Sequence, residues 1–236
     1  YCSVSGEFSV KVSVDADDVA YTTINVGGLI GYLNDDARKT EYDSNIDYVK
    51  YCILDVDINV SGNSTMYVGG IVGNVLNASV QNSSHSGSIN VEAANALNVY
   101  VGGIAGKLEK VMSTGNKFYS YDSALNLKSY SDISVTMGGN STANTAYVGG
   151  IFGEVINCNL VGITRSGDIT VTSDYNNIYV ANIAARAINN GSSSSVIIAM
   201  NFNTISYEGE VAITSTYGTV TKGEMVAYAD GVGGVS

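Results

Sequence analysis

The sequence contains no proline and no tryptophan, only one histidine, and three cysteines. No apolar run approaches the roughly 20 residues that span a bilayer, so we expect no membrane insertion. The cysteines, Cys2, Cys52 and Cys158, are odd in number and far apart, which argues against a disulfide framework or a tight zinc cluster. We expect all three to behave as small buried hydrophobic groups.

Basic residues are also scarce. Lys and Arg number 11 against 22 Asp and Glu, which gives a net charge of −11. An acidic surface repels phosphate backbones, so the composition predicts no nucleic-acid partner. The single histidine, His85, lies in a serine-rich run without neighbouring cysteines or paired carboxylates. We therefore expect an exposed turn histidine, no bound metal and no cofactor.

Residues that favour strands and turns are abundant. There are 27 Gly and 17 Tyr, together with many Val, Ile, Ser, Thr and Asn. Valine, isoleucine, tyrosine and threonine suit pleated strands, while glycine, asparagine and serine supply the turns between them. The composition predicts a mainly β protein with many short strands.

A glycine-rich heptamer recurs along the chain at intervals set by a unit of about 32 residues. Its copies are "NVGGLIG" (25–31), "YVGGIVG" (67–73), "YVGGIAG" (100–106), "YVGGIFG" (147–153) and the degenerate "YVANIAA" (179–185). Three glycines per copy would cost a helix about 3 kcal/mol relative to alanine. The G-G-x-x-G order also differs from a dinucleotide-binding fingerprint. We interpret the heptamer as a strand that serves as a structural rung.

A second element precedes each heptamer and alternates apolar with polar residues, as in "DVDINV" (55–60) and "SGDITV" (166–171). Stacking these units predicts one isoleucine ladder of Ile58, Ile89, Ile133 and Ile169, and another of Ile71, Ile104 and Ile151. Strand alternation within the heptamer would place Tyr67 and Ile71 on one face. The heptamer positions predicted to be structural glycines are Gly27, Gly28, Gly69, Gly70, Gly102, Gly103, Gly149 and Gly150.

These patterns predict an all-β fold, a single right-handed parallel β-solenoid over residues 1–236 with five or six irregular coils. Long insertions are expected at 34–51 and 113–130, and degenerate repeats at 179–236. Because the chain begins within a repeat, we expect a segment of a longer protein. Its open coil end would then pair with further chain or with another subunit.

The cores "GLIG", "GIVG", "GIAG" and "GIFG", each within its heptamer, resemble the GLUG-type repeat, named for its Gly-hydrophobic-hydrophobic-Gly pattern. The resemblance covers most of residues 1–190. GLUG-type repeats occur in large secreted and surface proteins, including adhesin-like proteins. The resemblance therefore implies an extracellular or cell-surface, elongated and non-catalytic module, and it carries no functional residues over to this chain.

The two insertions are rich in tyrosine and charge. Insertions in solenoids map to loops that often bind partners, and exposed tyrosine offers a rigid amphipathic contact. Tyr42, Tyr48, Tyr119 and Tyr121 are therefore candidates for partner contact. The alternative, equally weighted, is that these tyrosines fold back over the core.

The leading functional hypothesis is a structural or adhesive module of a secreted or cell-surface repeat protein, such as a filament or surface-layer subunit. Its partners would be proteins, further copies of itself or glycans. The alternative is a carbohydrate-active β-helix protein, a polysaccharide-binding protein, lyase or hydrolase. That alternative needs a carboxylate cluster with a basic residue on an exposed sheet. Its candidate residues are Asp55 and Asp57 on one strand, and the pair Arg165 and Asp168.

Overall fold

The computed structural model describes residues 1–13, 15, 22–35, 48–110, 122–139, 144–174, 177–190, 192–193, 196–197, 200 and 202–230. Every regular element among these residues is a β-strand. The described part of the chain accordingly offers no helix long and apolar enough to cross a membrane. The all-β prediction is confirmed.

The strands are short and follow one another closely along the chain. The first twelve are β1 (Cys2–Val12), β2 (Thr23–Gly27), β3 (Ile30–Asn34), β4 (Tyr48–Lys50), β5 (Cys52–Gly62), β6 (Thr65–Gly69), β7 (Val72–Leu76), β8 (Ser79–Ser86), β9 (Ile89–Ala94), β10 (Asn98–Gly102), β11 (Ala105–Glu109) and β12 (Asp122–Ser129). The remainder are β13 (Ile133–Gly138), β14 (Thr145–Gly149), β15 (Phe152–Ile156), β16 (Asn159–Arg165), β17 (Ile169–Ser173), β18 (Asn177–Ala181), β19 (Ala184–Ile188), β20 (Ser192–Ser193), β21 (Val196–Ile197), β22 (Phe202–Tyr207), β23 (Val211–Ser215), β24 (Val220–Gly223) and β25 (Val226–Asp230).

Three parallel sheets build the body of the molecule. Sheet 1 has eleven strands, in the order β22-β16-β12-β8-β5-β9-β13-β17-β23, with β1 paired to β5 and β4 to β8. Sheet 2 runs β2-β6-β10-β14-β18-β24, and sheet 3 runs β25-β19-β15-β11-β7-β3. Successive copies of the repeat thus lie side by side in each sheet, which confirms the parallel β-solenoid. Sheets 2 and 3 each count six strands, in agreement with the predicted number of coils.

The predicted isoleucine ladders form the core. In sheet 1, Ile89 is the register partner of Ile58 on one side and of Ile133 on the other, and Ile133 pairs with Ile169. In the heptamers, the backbone N–H of Ile71 donates to Ile104 O (2.9 Å), and that of Ile104 to Ile151 O (3.0 Å). All these side chains are buried. Each contributes on the order of 2 kcal/mol of hydrophobic stabilisation.

The heptamer is not one strand, as its alternation predicted, but spans a corner between two sheets. In the second coil, β6 ends at Gly69 in sheet 2 and β7 begins at Val72 in sheet 3. The bend at 70–71 interrupts the alternation of faces. Tyr67 consequently lies half-buried on the outside, whereas Ile71 is fully buried in the core.

Close backbone approach explains the glycines at this corner. A Cβ atom on Gly69 would lie under 3.0 Å from Val72 O and Ala105 Cα, closer than real Cβ atoms come to backbone. The same holds for a Cβ on Gly27, Gly102 or Gly149, each of which would meet backbone atoms of its own and the neighbouring coil. The degenerate fifth coil has Ala181 in register with Gly149. The corner of the fifth coil therefore accommodates one methyl group at this position.

Both predicted insertions contain strand. The segment 34–51 includes β4, which pairs with β8, and the segment 113–130 includes β12, which pairs with β8 and β16. The ends of the insertions that precede the next coil are therefore rungs of sheet 1 rather than loops. Residues 36–47 and 111–121 lie outside the described part of the chain.

Candidate functional site

The predicted contact residue Tyr48 belongs to an exposed aromatic surface, which we name the Tyr48 patch. It consists of Tyr48 (44 % exposed), Tyr51 (42 %) and Ile53 (63 %), with Tyr1 stacked on Tyr51 at a ring-centroid distance of 5.1 Å. The Lys50 ammonium lies 5.8 Å from the Tyr48 ring centroid and 5.0 Å from that of Tyr51. Such cation–π contacts hold the rings in place while leaving apolar surface in water.

The remaining candidates for partner contact, Tyr42, Tyr119 and Tyr121, lie outside the described residues. Tyr51 and Ile53 were not predicted as contact residues, although both follow Tyr48 within five positions. The signal for them was the "YC" pair at 51–52, which repeats 1–2 and marks the start of a sheet 1 strand.

A ladder of stacked tyrosines runs along the outside of sheet 2. Its rings belong to Tyr67, Tyr100, Tyr147 and Tyr179, with successive centroids 4.7, 4.9 and 5.2 Å apart and interplanar angles of 13°, 10° and 13°. These residues are register partners, so the coil spacing itself sets the stacking distance. Burial, together with nearby Glu154, raises the pKa of Tyr100. Sequence reasoning missed this ladder, although tyrosine opens four of the five heptamers.

Charged residues of sheet 3 lie against the tyrosine ladder. Glu154 is buried, with its carboxylate 2.9 Å from Arg186 Nη1 and 3.5 Å from Lys107 Nζ. These three residues occupy consecutive rungs at one register position. The Arg186 guanidinium also lies 5.5 Å from the Tyr147 ring centroid. Burial alone would lower the pKa of Lys107, but its hydrogen bond to Glu109 and the charge of Glu154 produce a net rise. The contacts of Lys107 with the Tyr67 ring and of Arg186 with the Tyr147 ring therefore join sheet 3 to sheet 2.

His85 is buried, so the prediction of an exposed turn histidine is wrong. Its Nε2–H donates to Val56 O (3.0 Å), which fixes the tautomer, because a carbonyl oxygen only accepts. Nδ1 then accepts from the Ser131 hydroxyl (2.6 Å). Burial lowers the pKa of His85 to about 4, although Val56 O, Asp55 and Asp57 act in the opposite direction. The imidazole is therefore neutral at physiological pH.

In the first four heptamers the second glycine faces a side chain inside the solenoid, and this side chain differs from coil to coil. A Cβ on Gly70 would collide with the His85 ring, and one on Gly103 with the Ser129 hydroxyl. Successive coils carry different residues at this register position: Leu54, His85, Ser129, Arg165 and Tyr207. Polar side chains are thus held inside the solenoid where the missing glycine side chain leaves room for them.

Arg165 and Asp168 do not form the surface pair predicted for a carbohydrate-active site. Arg165 is turned into the interior, only 1 % exposed, where its Nη1 donates to Gly167 O and to Glu208 O (2.8 Å). Asp168 lies outside and accepts the backbone N–H of Glu210 (2.8 Å). The Arg165 pKa is lowered by burial. The two side chains therefore serve separate structural roles.

Asp55 and Asp57 point outward from β5, as predicted, but both are occupied by hydrogen bonds to the next coil. Asp57 accepts from the backbone N–H (2.7 Å) and hydroxyl (2.8 Å) of Ser88, and these bonds lower its pKa. Asp55 accepts from the Ser86 hydroxyl (3.1 Å). Asp132 repeats the Asp57 arrangement on the backbone N–H of Asp168 (2.8 Å). Acidic side chains at this position thus join neighbouring coils.

The described surface also contains one shallow groove on the outside of sheet 1, between β12, β16 and β22. Asn126, Lys128, Thr164 and Ser206 supply its polar lining, and no carboxylate is among the residues that line it. Within the described ranges no group of three His, Cys, Asp or Glu side chains converges as metal ligands would.

The cysteines behave partly as expected. Cys52 and Cys158 are buried and Cys2 is half-buried, and none of the three is joined in a disulfide in this structure. The Cys158 thiol donates to Ile156 O (3.1 Å). Cys2 and Cys52, separated by 50 positions in the sequence, are direct register partners in β1 and β5.

Comparison with known proteins gives one family. Residues 64–90 match the family model described as the GLUG motif. No curated protein matches the chain, and no solved structure matches it. The matched segment covers the heptamer of the second coil and the following sheet 1 strand, the same elements on which the sequence resemblance rests. The chain is a parallel β-solenoid that carries a GLUG motif.

Proposed function

We propose that this chain is a non-catalytic structural and adhesive module of a secreted or cell-surface repeat protein, and that it contributes to a filament or surface layer. The Tyr48 patch is the observation that carries the proposal. Tyrosine and isoleucine side chains that remain this exposed on a stable sheet are typical of contact surfaces. The Lys50 ammonium adds a cation that can pair with acidic partners, including further copies of this acidic chain.

The stacked coils support the structural part of the proposal. Parallel strands lie about 4.8 Å apart, so six coils form a stiff body whose surface pattern repeats along one axis. Among the described strands, β2 and β3 on one side, and β24 and β25 on the other, pair with a single neighbour. Such edges can accept another parallel coil, from the same polypeptide or from a second subunit. Self-association along the coil axis would lengthen the body without new chemistry.

Localisation is tested directly on the source cells. An antibody raised against the purified chain, with gold labelling of intact and sectioned cells, is expected to mark the outer surface or extracellular fibrils. Labelling confined to the cell interior would contradict the proposal. Electron microscopy of the labelled material also shows whether the particles are extended fibrils, a layer or isolated molecules.

Adhesion and self-association are tested with a patch variant. The triple substitution Tyr48→Ser, Tyr51→Ser and Ile53→Ser removes the apolar contact surface without touching the core. The matched control is Tyr130→Ser, which removes a tyrosine of similar exposure (48 %) elsewhere. Sedimentation velocity and co-sedimentation with intact source cells are expected to show weaker association for the triple variant alone. If the parent chain, the triple variant and Tyr130→Ser associate equally, the Tyr48 patch is not a contact surface and no longer supports the proposal.

The carbohydrate-active alternative requires a different result. Its proposed pair of Arg165 and Asp168 is not formed, and Asp55 and Asp57 are engaged by Ser86 and Ser88. Incubation of the full chain with a panel of acidic and neutral polysaccharides measures new reducing ends and unsaturated products. Release that disappears in Asp55→Asn or Asp57→Asn would overturn the non-catalytic proposal. Binding without cleavage would instead identify glycans as partners of the module.

A further inference from the structure

We propose that Cys2 and Cys52 form an intramolecular disulfide that ties the first coil to the second. Their strands, β1 and β5, pair in parallel along eleven register positions, and Cys2 with Cys52 is the first of them. Register partners in a parallel sheet point to the same face, about 4.8 Å apart at Cα. That separation falls within the range of about 4.4–6.8 Å found for disulfide-bonded cysteines.

Neighbouring contacts hold the two thiols together. The backbone N–H of Cys2 donates to Tyr51 O (3.2 Å), and the rings of Tyr1 and Tyr51 stack at 5.1 Å immediately beside the cysteines. Cys52 is fixed on its other side, because its backbone N–H donates to the Ser83 hydroxyl (3.1 Å). Burial raises the pKa of the Cys52 thiol, and the neighbouring Cys2 side chain raises it further. Closing the bond therefore requires rotation of side chains and no change of register.

The two thiols have different access to reagents. Cys52 is buried at 5 % exposure, whereas Cys2 is only half-buried, on the first strand of sheet 1. Cys2 is accordingly the group that meets a soluble oxidant first. As its thiolate it attacks a low-molecular-weight disulfide such as glutathione disulfide, forming a mixed disulfide and releasing one glutathione thiolate. The deprotonated Cys52 thiol then attacks the Cys2 sulfur, and the second glutathione leaves as thiolate.

The step is balanced. Two cysteine thiols lose two protons and two electrons in total, and one glutathione disulfide becomes two molecules of glutathione. Cys158 takes no part, because it lies between β15 and β16, several coils away, with its thiol bound to Ile156 O. The inference is independent of the proposed function, since it depends only on the register of β1 and β5. It would confine the first coil wherever the surroundings are oxidising.

Peptide mapping tests the cross-link in the full chain. The native protein is incubated with glutathione disulfide, the remaining thiols are alkylated, and the product is digested with trypsin. We expect a monomer lighter by two hydrogen atoms, with peptides 1–11 and 51–107 joined until a reductant is added, and with Cys158 alkylated in peptide 129–165. Three alkylated cysteines, a bridge to Cys158 or a disulfide between two chains would each overturn the proposal.

Matched variants separate the cross-link from general effects of oxidation. Cys158→Ala retains both partners and is expected to gain the bridge and a higher urea midpoint, which reductant reverses. Cys52→Ala is expected to show neither. The peptide map of the unmodified chain decides the question even where Cys52→Ala fails to fold. An equal rise of the urea midpoint in both variants would show that another reaction is responsible.

Discussion

The buried His85 makes stability depend on pH in a range where few other groups titrate. Its pKa is about 4 in the folded protein and about 6.5 when exposed in the unfolded chain. The unfolded chain therefore binds the proton more tightly, so stability is fully present above pH 6.5 and falls as the pH drops towards 4. Between pH 7 and pH 5 the linkage amounts to about 2 kcal/mol. Protonation would also abolish the acceptor that Nδ1 offers to Ser131.

The substitution His85→Leu should remove this dependence. Leucine already occupies the equivalent inner rung one coil earlier, at Leu54, opposite the glycine Gly28. The matched control is Ser129→Ala, which alters the next rung but leaves the histidine in place. Urea unfolding followed by far-UV circular dichroism, at pH 7 and pH 5 and constant ionic strength, measures the difference in the free energy of unfolding.

The wild type and Ser129→Ala are expected to lose about 2 kcal/mol between the two pH values, whereas His85→Leu should lose a few tenths. The result that would refute the reasoning is an undiminished loss in His85→Leu. The pH dependence would then have to be the sum over the 22 Asp and Glu residues, because a single carboxylate with an unperturbed pKa of about 4 contributes little above pH 5. An NMR titration of the single histidine gives an independent value for its pKa.

Two further predictions concern the tyrosine ladder of sheet 2 and the ion pairs of Glu154 in sheet 3. Urea unfolding measures the change in the free energy of unfolding for both. Tyr100→Ala should cost about 3 kcal/mol because its ring stacks on two neighbours and is 8 % exposed, whereas Tyr32→Ala, at 49 % exposure, should cost under about 1 kcal/mol. Equal costs would show that stacking does not stabilise the ladder. Glu154→Gln should cost about 2 kcal/mol, less than for a fully buried pair because Lys107 and Arg186 regain solvent. A cost that vanished in high salt would mean that the pairs behave as exposed ones.

The repeat made the fold predictable from the sequence, because each coil must bury its apolar face against the next. The isoleucines 58, 89, 133 and 169 recur at one offset within the unit, and the structure brings them into register. The boundaries inside the heptamer were not predictable from alternation. A bend of two residues moves the chain from one sheet to another. The residues on both sides of the bend nevertheless fit the alternation expected of one continuous strand.

The polar side chains buried inside the solenoid, such as His85, were missed for a different reason. His85 stands in a run of serines, and local composition indicates a solvated turn. Its burial follows from register with Leu54 and Ser129, which lie in the coils on either side. Alignment of "HSGS" with "RSGD" and "YEGE" does contain that signal, since each places a large side chain directly before the same turn. The Tyr48 patch gave a weaker signal, because exposure depends on what the neighbouring coil leaves uncovered.

The corner glycines allow the backbone spacing of the solenoid to be tested directly. A methyl group at Gly69 would meet Val72 O and Ala105 Cα at under 3.0 Å, whereas one at Gly138 has its nearest neighbour at 3.6 Å, beside its register partner Ala94. Both substitutions to alanine reduce the entropy of the unfolded chain equally, which favours the folded state by about 0.5–1 kcal/mol.

Gly138→Ala should therefore be neutral or stabilising, while Gly69→Ala should lower the free energy of unfolding by about 3 kcal/mol relative to it, because the backbone must move to admit the methyl group. Urea midpoints and slopes of the two variants and the parent measure the difference. Ala181 occupies the equivalent corner of the fifth coil, so a methyl group is accommodated there. If Gly69→Ala matches Gly138→Ala, the corner of the second coil admits a methyl group as the fifth does. The presence of two adjacent glycines would then be explained by the second one, Gly70, which leaves room for the His85 ring, rather than by the close approach of the backbones.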